Sequence, residues 1–144
     1  MKKYPIPDEQ EHLSLEAISS GDLFGLINIV REGIPYQTFQ HFSGQSPFTM
    51  AEWSVFLGLS ERSLQRYKKV NRKFDQLQSE RIIEITLLMK RGVEVFGDKD
   101  RFIEWMHSRI VALGRIRPIE LLDNKFGIQM LNDELTAIEH GIFA

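Results

Sequence analysis

Residues 49–70 read TMAEWSVFLGLSERSLQRYKKV, and their spacing predicts two short helices joined by a tight turn. Thr49 is placed to cap the first helix, and Glu52 completes a capping box with it. Phe48 and Trp53 stand at the two positions of a hydrophobic staple. Ala51, Val55 and Phe56 are expected to face a core. Gly58 suits a left-handed cap, so the helix is expected to stop near Leu57. Ser60 then caps the next helix, and Glu61 falls in its first turn, where the dipole favours a negative charge. Leu59 and Leu64 anchor this helix inward. The pattern is that of a helix-turn-helix, which sets side chains of its second helix in the DNA major groove.

Local charge agrees with that reading. Between residues 58 and 74 stand Arg62, Arg66, Lys68, Lys69, Arg72 and Lys73 against the single acid Glu61. The whole chain carries a net charge of -2, so this basic stripe lies on a mildly acidic protein. Such a contrast fits a phosphate-facing footprint, the alternative being an ordinary solvated helix face. Arg62, Arg66, Lys69 and Lys73 follow helical spacing and are expected to share one face, with Gln65 and Lys68 beside it. Arg66, Lys68, Lys69, Arg72 and Lys73 are assigned to phosphates, which set register without reading sequence. Arg62, Ser63 and Gln65, near the helix start with Ser60, are assigned to base edges, since Arg suits guanine and Gln suits adenine.

Composition bounds the rest. At 144 residues the chain can bury a core of useful size, as one unit or two small ones. It is 42% hydrophobic and 26% charged, ordinary for a soluble globular protein. No apolar run reaches transmembrane length, and MKKYPIPDEQEHL lacks the apolar core of a signal peptide, so a cytoplasmic protein without membrane contact is expected. The absence of cysteine excludes disulfides, thiolate zinc sites and cysteine nucleophiles. His12, His41, His107 and His140 form no ligand spacing, and no glycine-rich phosphate loop is present. Asp98 and Asp100 read as helix capping rather than a catalytic pair. A serine triad assembles in space and escapes this test, but no nucleophile motif stands out. Neither an enzymatic activity nor a cofactor is expected.

Helical periodicity dominates the whole chain, and the predicted fold class is all-α. Residues 1–13 read as a polar, proline-bearing arm, 14–74 as the helix-turn-helix region and 75–144 as a second helical domain. Ser14 is placed to cap a short helix ending near Gly21. Asp22 is placed to cap the next, with Leu23, Ile27 and Val30 inward and Gly33 as its stop. Pro35 suits the first turn of a helix running to about Phe42, before a loop SGQSP. The basic helix is expected to continue toward Phe74. Asp75 and Gln78 open a long helix whose apolar residues, Ile82, Ile85, Met89, Val93 and Phe96, widened by Ile83, Leu87 and Leu88, imply packing on several sides. Gly97 ends it and Asp98 caps the next helix, with Phe102, Ile103, Trp105 and Met106. ALGRIRP is a turn, and Pro118 opens the short helix IELLD. Ile128, Leu131, Leu135, Ile138 and Ile142 mark a last helix.

LGLSERSLQRYK, then VEVFGD, then W...ALGRIRPIELLD, then FG...L...IEHGIF, together resemble the Xre-type antitoxins that carry a C-terminal toxin-binding domain of the MbcA/ParS/Xre kind. The resemblance runs from about Gly33 to the last residue. It implies a helix-turn-helix that binds the operon's promoter and a C-terminal domain that neutralises a RES-domain toxin, an enzyme that degrades NAD. The family's recognition segment is matched by residues 60–66, with Ser63 in place of Thr. Its Leu-Gly turn is matched by Gly114, followed by Pro118 and Leu121-Leu122-Asp123. Many relatives carry a second glycine where this chain has Arg115. Its Thr-x-x-Gly is matched by residues 124–127, with Asn124 as the cap.

The resemblance places the ending Glu139, His140, Gly141, Ile142 and Phe143 near the toxin. Exposed Arg109, Arg115 and Arg117 are the further candidates, since arginine contributes disproportionately to interfaces; plain solubilising charge is the alternative for them. Phe102 and Trp105 read as core, and Gly141 is open to reading as a helix stop. The expected partners are a RES-domain toxin and double-stranded promoter DNA, bound by a homodimer on a two-fold operator. The alternatives are a free-standing helix-turn-helix regulator whose C-terminal half only dimerises, and an adaptor whose helix-turn-helix has decayed.

Overall fold

A computed structural model of the chain describes residues 17, 18 and 20–141. The expected arm at 1–13, the Ser14 cap, and Ile142 and Phe143 lie outside the described residues. The α-helices are α1 (Leu23–Glu32), α2 (Tyr36–Gln45), α3 (Met50–Leu57), α4 (Glu61–Val70), α5 (Gln76–Phe96), α6 (Lys99–His107) and α7 (Lys125–Glu139), with short 3-10 turns at Val111–Leu113 and Pro118–Leu121 between α6 and α7. The all-α class is as the periodicity indicated. Among the described residues the only β-type pairing is two isolated antiparallel bridges, Pro35 with Lys73 and Ile110 with Ile116.

The caps explain where the helices begin. Thr49 Oγ1 accepts from the Glu52 N–H (3.1 Å) while Glu52 accepts from the Thr49 N–H (2.9 Å). Asp75 and Gln78 exchange the same pair of bonds at 2.7 and 3.2 Å. Ser60 Oγ accepts from the Ser63 N–H and Asp98 Oδ1 from the Asp100 N–H. Each satisfies an amide that the helix itself leaves without a partner. Asp22 occupies the N-cap of α1 but makes no such bond.

The long helix α5 is the spine. It packs against α1, α3, α6 and α7, most extensively α7. At its start an aromatic nest fills the helix-turn-helix. Phe39 meets Trp53 and Phe74 with ring centroids 5.1 Å away in each case, and Phe48 meets Phe56 at 5.1 Å and Trp53 at 5.9 Å. Edge-to-face rings of this kind stabilise beyond the area they bury. At its far end Phe96, Phe102 and Trp105 form a second nest. Phe102 is fully buried and Trp105 partly so, as expected. The ring of Phe102 lies where α5 has Gly92, and a Cβ there would stand 2.1 Å from it. The buried apolar residues form one connected core running the length of α5.

Several expectations about faces and ends are corrected. Leu23 and Ile27 are 73% and 45% exposed, and α1 buries Leu26 instead, with Ile29 and Val30 beside it. Ala51 is exposed and Val55 is 62% exposed; Trp53, Phe56 and Leu57 line the core side of α3. In these short helices two adjacent apolar stripes compete, and packing against α5 selects one. Pro35 is the N-cap of α2, and the helix runs on to Gln45, so Ser43, Gly44 and Gln45 are helical rather than loop. Helix α4 stops at Val70, because Asn71 takes a left-handed conformation (φ 47°, ψ 49°). Lys73 therefore does not share the α4 face; it lies in the bridge to Pro35.

Candidate functional site

The turn between α3 and α4 closes tightly. Gly58 has φ 66°, the Leu59 N–H reaches back to the Ser54 carbonyl (2.9 Å), and Ser60 starts the next helix. Leu64 is the one fully buried side chain of α4, seating the helix on the nest, with Ser63 and Tyr67 half-buried. Ser60, Arg62, Gln65, Arg66, Lys68 and Lys69 are all exposed.

These side chains are not equally free. Ser63 accepts from the Arg66 guanidinium (3.1 Å) and from the Ser60 hydroxyl (3.0 Å), so part of its bonding capacity is already used within the helix. The Arg72 guanidinium lies 4.7 Å from the centre of the Tyr67 ring, a cation–π contact that holds it beside the end of α4. Arg62, Gln65 and Lys69 project from α4 itself. Arg72 and Lys73 come from the strand-like segment that follows. The structure thus splits the sequence-assigned stripe between a helix and the chain leaving it.

Two residues without an assigned role in the sequence bear on this face. Asn71 Oδ1 accepts from the Gln37 N–H (2.9 Å), an amide in the first turn of α2. Arg81 donates to the Phe56 carbonyl at the end of α3 (3.2 Å), where a cation also complements the helix dipole. Asparagine at a helix end, prone to left-handed geometry, was the available sequence signal for Asn71. Nothing in the sequence pairs Arg81 with α3.

The second candidate surface lies after α6. Residues 109–117 form a small closed loop. The Ile110 N–H donates to the Ile116 carbonyl (3.2 Å) and the Arg115 N–H to the Ile110 carbonyl (2.8 Å). Gly114 and Arg115 both have positive φ, 75° and 63°, so Arg115 adopts the geometry for which a glycine is better suited. Arg109 donates to the Arg115 carbonyl (3.3 Å), and Arg117 pairs with Glu120 at 3.6 Å. The Glu120 carboxyl is held below its usual pKa by the Arg117 backbone N–H, which donates to it at 3.0 Å, and by the Arg117 charge. The loop gathers Arg109, Arg115 and Arg117; the first two are exposed, whereas Arg117 is half-buried beside Glu120, which corrects the expectation that all three are exposed.

Glu139, His140 and Gly141 stand elsewhere, at the end of α7. Fifteen residues make that helix ~22 Å long, and the Pro118–Leu121 turn packs at its start. Arg91 of α5 anchors the far end. It donates to Thr136 Oγ1, to the Asn132 carbonyl (3.4 Å) and to Glu139 (3.5 Å). Sequence gave no signal for Arg91. Among the described residues no group of His, Asp or Glu is arranged to hold a metal ion, and no helix is long and apolar enough to cross a membrane.

Comparison with known proteins divides the chain at the same spine. Residues 25–86 match the antitoxin Xre-like helix-turn-helix domain, and residues 91–141 match the antitoxin Xre/MbcA/ParS C-terminal toxin-binding domain. The two matches meet inside α5. An antitoxin Xre of Photorhabdus laumondii subsp. laumondii is 31% identical over 115 residues, covering 79% of this chain and 78% of the relative. An antitoxin Xre of Yersinia enterocolitica is 29% identical over 120 residues, covering 83% and 81%.

Proposed function

We propose that this chain, which belongs to the Xre antitoxin family, neutralises a RES-domain, NAD-degrading toxin and binds its own promoter to regulate the operon. The observation that carries the DNA half is α4: a capped helix seated by one buried leucine, with Arg62, Gln65, Arg66, Lys68 and Lys69 exposed. Arg66, Lys68, Lys69, Arg72 and Lys73 contact phosphates, and their loss weakens all sequences alike. Arg62 and Gln65 read base edges, each bidentate contact discriminating by about 1–3 kcal/mol. Ser60 and Ser63 chiefly shape the helix start. A homodimer on a two-fold operator supplies the affinity that one small module lacks.

The toxin half rests on the matched C-terminal domain and on two surfaces, the loop that presents Arg109 and Arg115 with Arg117 half-buried beside them, and the exposed end of α7 at Glu139, His140 and Gly141. Both would act in the cytoplasm by occupying space at the toxin's NAD site, so this chain needs no catalytic group. Its relatives are named antitoxins, in keeping with binding rather than turnover.

Co-production with the neighbouring gene product tests the reading. A RES-domain protein that co-purifies with the chain, with cellular NAD preserved, is the expected result. A neighbour that neither co-purifies nor consumes NAD when produced alone sinks the toxin assignment. Full protection by a chain lacking residues 139–144 would remove the terminal segment from the site. On DNA, Arg62→Ala should relax base preference while Lys69→Ala should weaken cognate and scrambled fragments equally. Equal losses for both variants would refute that division.

A further inference from the structure

Helix α4 has a narrow seat. Leu64 is its only fully buried side chain, and Ser63 and Tyr67 are half-buried. Tyr67, one turn on, packs against Phe74 with ring centroids 5.2 Å apart. These two anchors lie on one face and seat the helix, but its end beyond Tyr67 is left for another contact to fix. That contact lies at the far end. Asn71 stands seven residues beyond Leu64, ~10 Å along the helix axis, where a small angular error is most easily corrected.

Asn71 does two things there. Its left-handed backbone (φ 47°, ψ 49°) stops α4 and turns the chain back. Its Oδ1 accepts the Gln37 N–H at 2.9 Å. Gln37 lies in the first turn of α2, whose amides have no partner within the helix. The N-cap residue of α2 is Pro35, which has no side-chain acceptor to offer. Asn71 therefore caps α2 from a distance and ties it to the end of α4. Two backbone bonds secure the same junction: the Tyr36 N–H to the Arg72 carbonyl (3.0 Å) and the Phe74 N–H to the Ile34 carbonyl (2.8 Å). Ser79 of α5 receives the Ile34 N–H at 2.9 Å, so the clamp is fixed in turn to the spine.

We infer that Asn71 is a positioning residue for DNA readout: its side-chain acceptor sets the tilt of α4, and so the reach of Arg62 and Gln65 to base edges, without itself touching a base. The inference rests on the DNA-binding reading above. A change of tilt misplaces the groups that need bidentate geometry and leaves phosphate contacts, which tolerate movement, largely intact.

Two variants separate the parts of this role. Asn71→Gly keeps a residue at ease with positive φ and removes the acceptor. Asn71→Asp keeps the acceptor and tolerates the same backbone. Binding of the full chain to its own upstream DNA and to a scrambled fragment is measured at two salt concentrations, below the melting temperature of each variant. Asn71→Gly should reduce the ratio of cognate to scrambled affinity by about tenfold, the order of one lost base contact, with an unchanged salt slope. Asn71→Asp should keep the wild-type ratio while lowering both affinities through its added charge. A glycine variant that melts earlier yet keeps the wild-type ratio would reduce Asn71 to a stabilising cap and overturn the inference. So would equal loss of the ratio in both variants. If the wild-type chain itself shows no preference for its upstream DNA, the DNA-reading assignment fails first, which is a different result.

Discussion

Gly127→Ala places a methyl group where there is no room for one. Gly127 is the third residue of α7, and its N–H is held by the capping Asn124 Oδ1 at 2.7 Å. A Cβ at this position would lie 2.1 Å from the Leu121 carbonyl oxygen, 2.9 Å from its carbonyl carbon and 3.0 Å from its Cβ. Favourable contact between carbons begins near ~3.5 Å, so α7 and the Pro118–Leu121 turn must part by roughly 1 Å. The nearest obstacle is backbone, which cannot rotate away as a side chain could. Overpacking of this kind costs about 1–3 kcal/mol, and disturbing the Asn124 cap adds about 0.5–2 kcal/mol. Against this, alanine gains about 1 kcal/mol of helix propensity over glycine. The net loss is therefore about 2 kcal/mol. With a urea m value of about 1–3 kcal/mol/M, the unfolding midpoint should fall by roughly 1 M at unchanged m. Urea unfolding followed by far-UV circular dichroism measures this directly. A variant with an equal or higher midpoint would show that α7 can retreat freely from the turn, and the steric account of the Asn-x-x-Gly motif would be wrong.

Three further outcomes are expected. Arg115→Gly should raise stability by about 0.5–1 kcal/mol, because relief of ~1–2 kcal/mol of left-handed strain exceeds the entropic cost of glycine at ~0.5–1 kcal/mol. If that stabilised variant fails to protect against the toxin, the Arg115 side chain is a contact; an earlier melting transition would refute the strain argument. Burial first, then the neighbouring Glu80 carboxylate, raise the Glu84 pKa, while Arg81 and Lys125 oppose them. A carboxyl with a raised folded pKa contributes stability below its unfolded value, and that contribution is lost as pH rises through the folded value. Glu84→Gln should therefore melt higher than wild type at pH 7, with the difference vanishing below about pH 4; a constant difference across that range would count against the titration. Arg91→Met should speed amide exchange at Ile138 and Glu139 while shifting global stability by no more than about 1 kcal/mol, as partly exposed ion pairs do. Unaltered exchange there would show that Arg91 does not anchor the end of α7.

Much of the architecture was legible because its determinants are local. The Thr49–Glu52 and Asp75–Gln78 boxes, the Ser60, Asp98 and Asn124 caps and the Gly58 and Gly97 stops each join groups within a few residues of one another. A capped start followed by a helical period is therefore readable without the fold, and so were the helix-turn-helix and the order of the helices. The basic and polar residues of α4 were legible for the same reason, since one helical period places them together.

What resisted reading depends on partners far along the chain. Leu23 and Val55 belong to apolar stripes as plausible as the buried ones; contact with α5 decides that Leu26 goes inside in place of Leu23, and that Phe56, read correctly as core, does so without Val55. The end of α4 and the separation of Lys73 from its face follow from a segment that pairs with residues 34–36, and from Asn71, whose bond to Gln37 spans 34 positions. Arg91 reaches Glu139 across 48 positions. Side-chain spacing encodes caps and periods because their energies are satisfied within one turn. The choice of buried stripe, the direction of a short helix and the anchoring of its ends are satisfied between turns distant in sequence, so they come into being only when the chain has closed on itself.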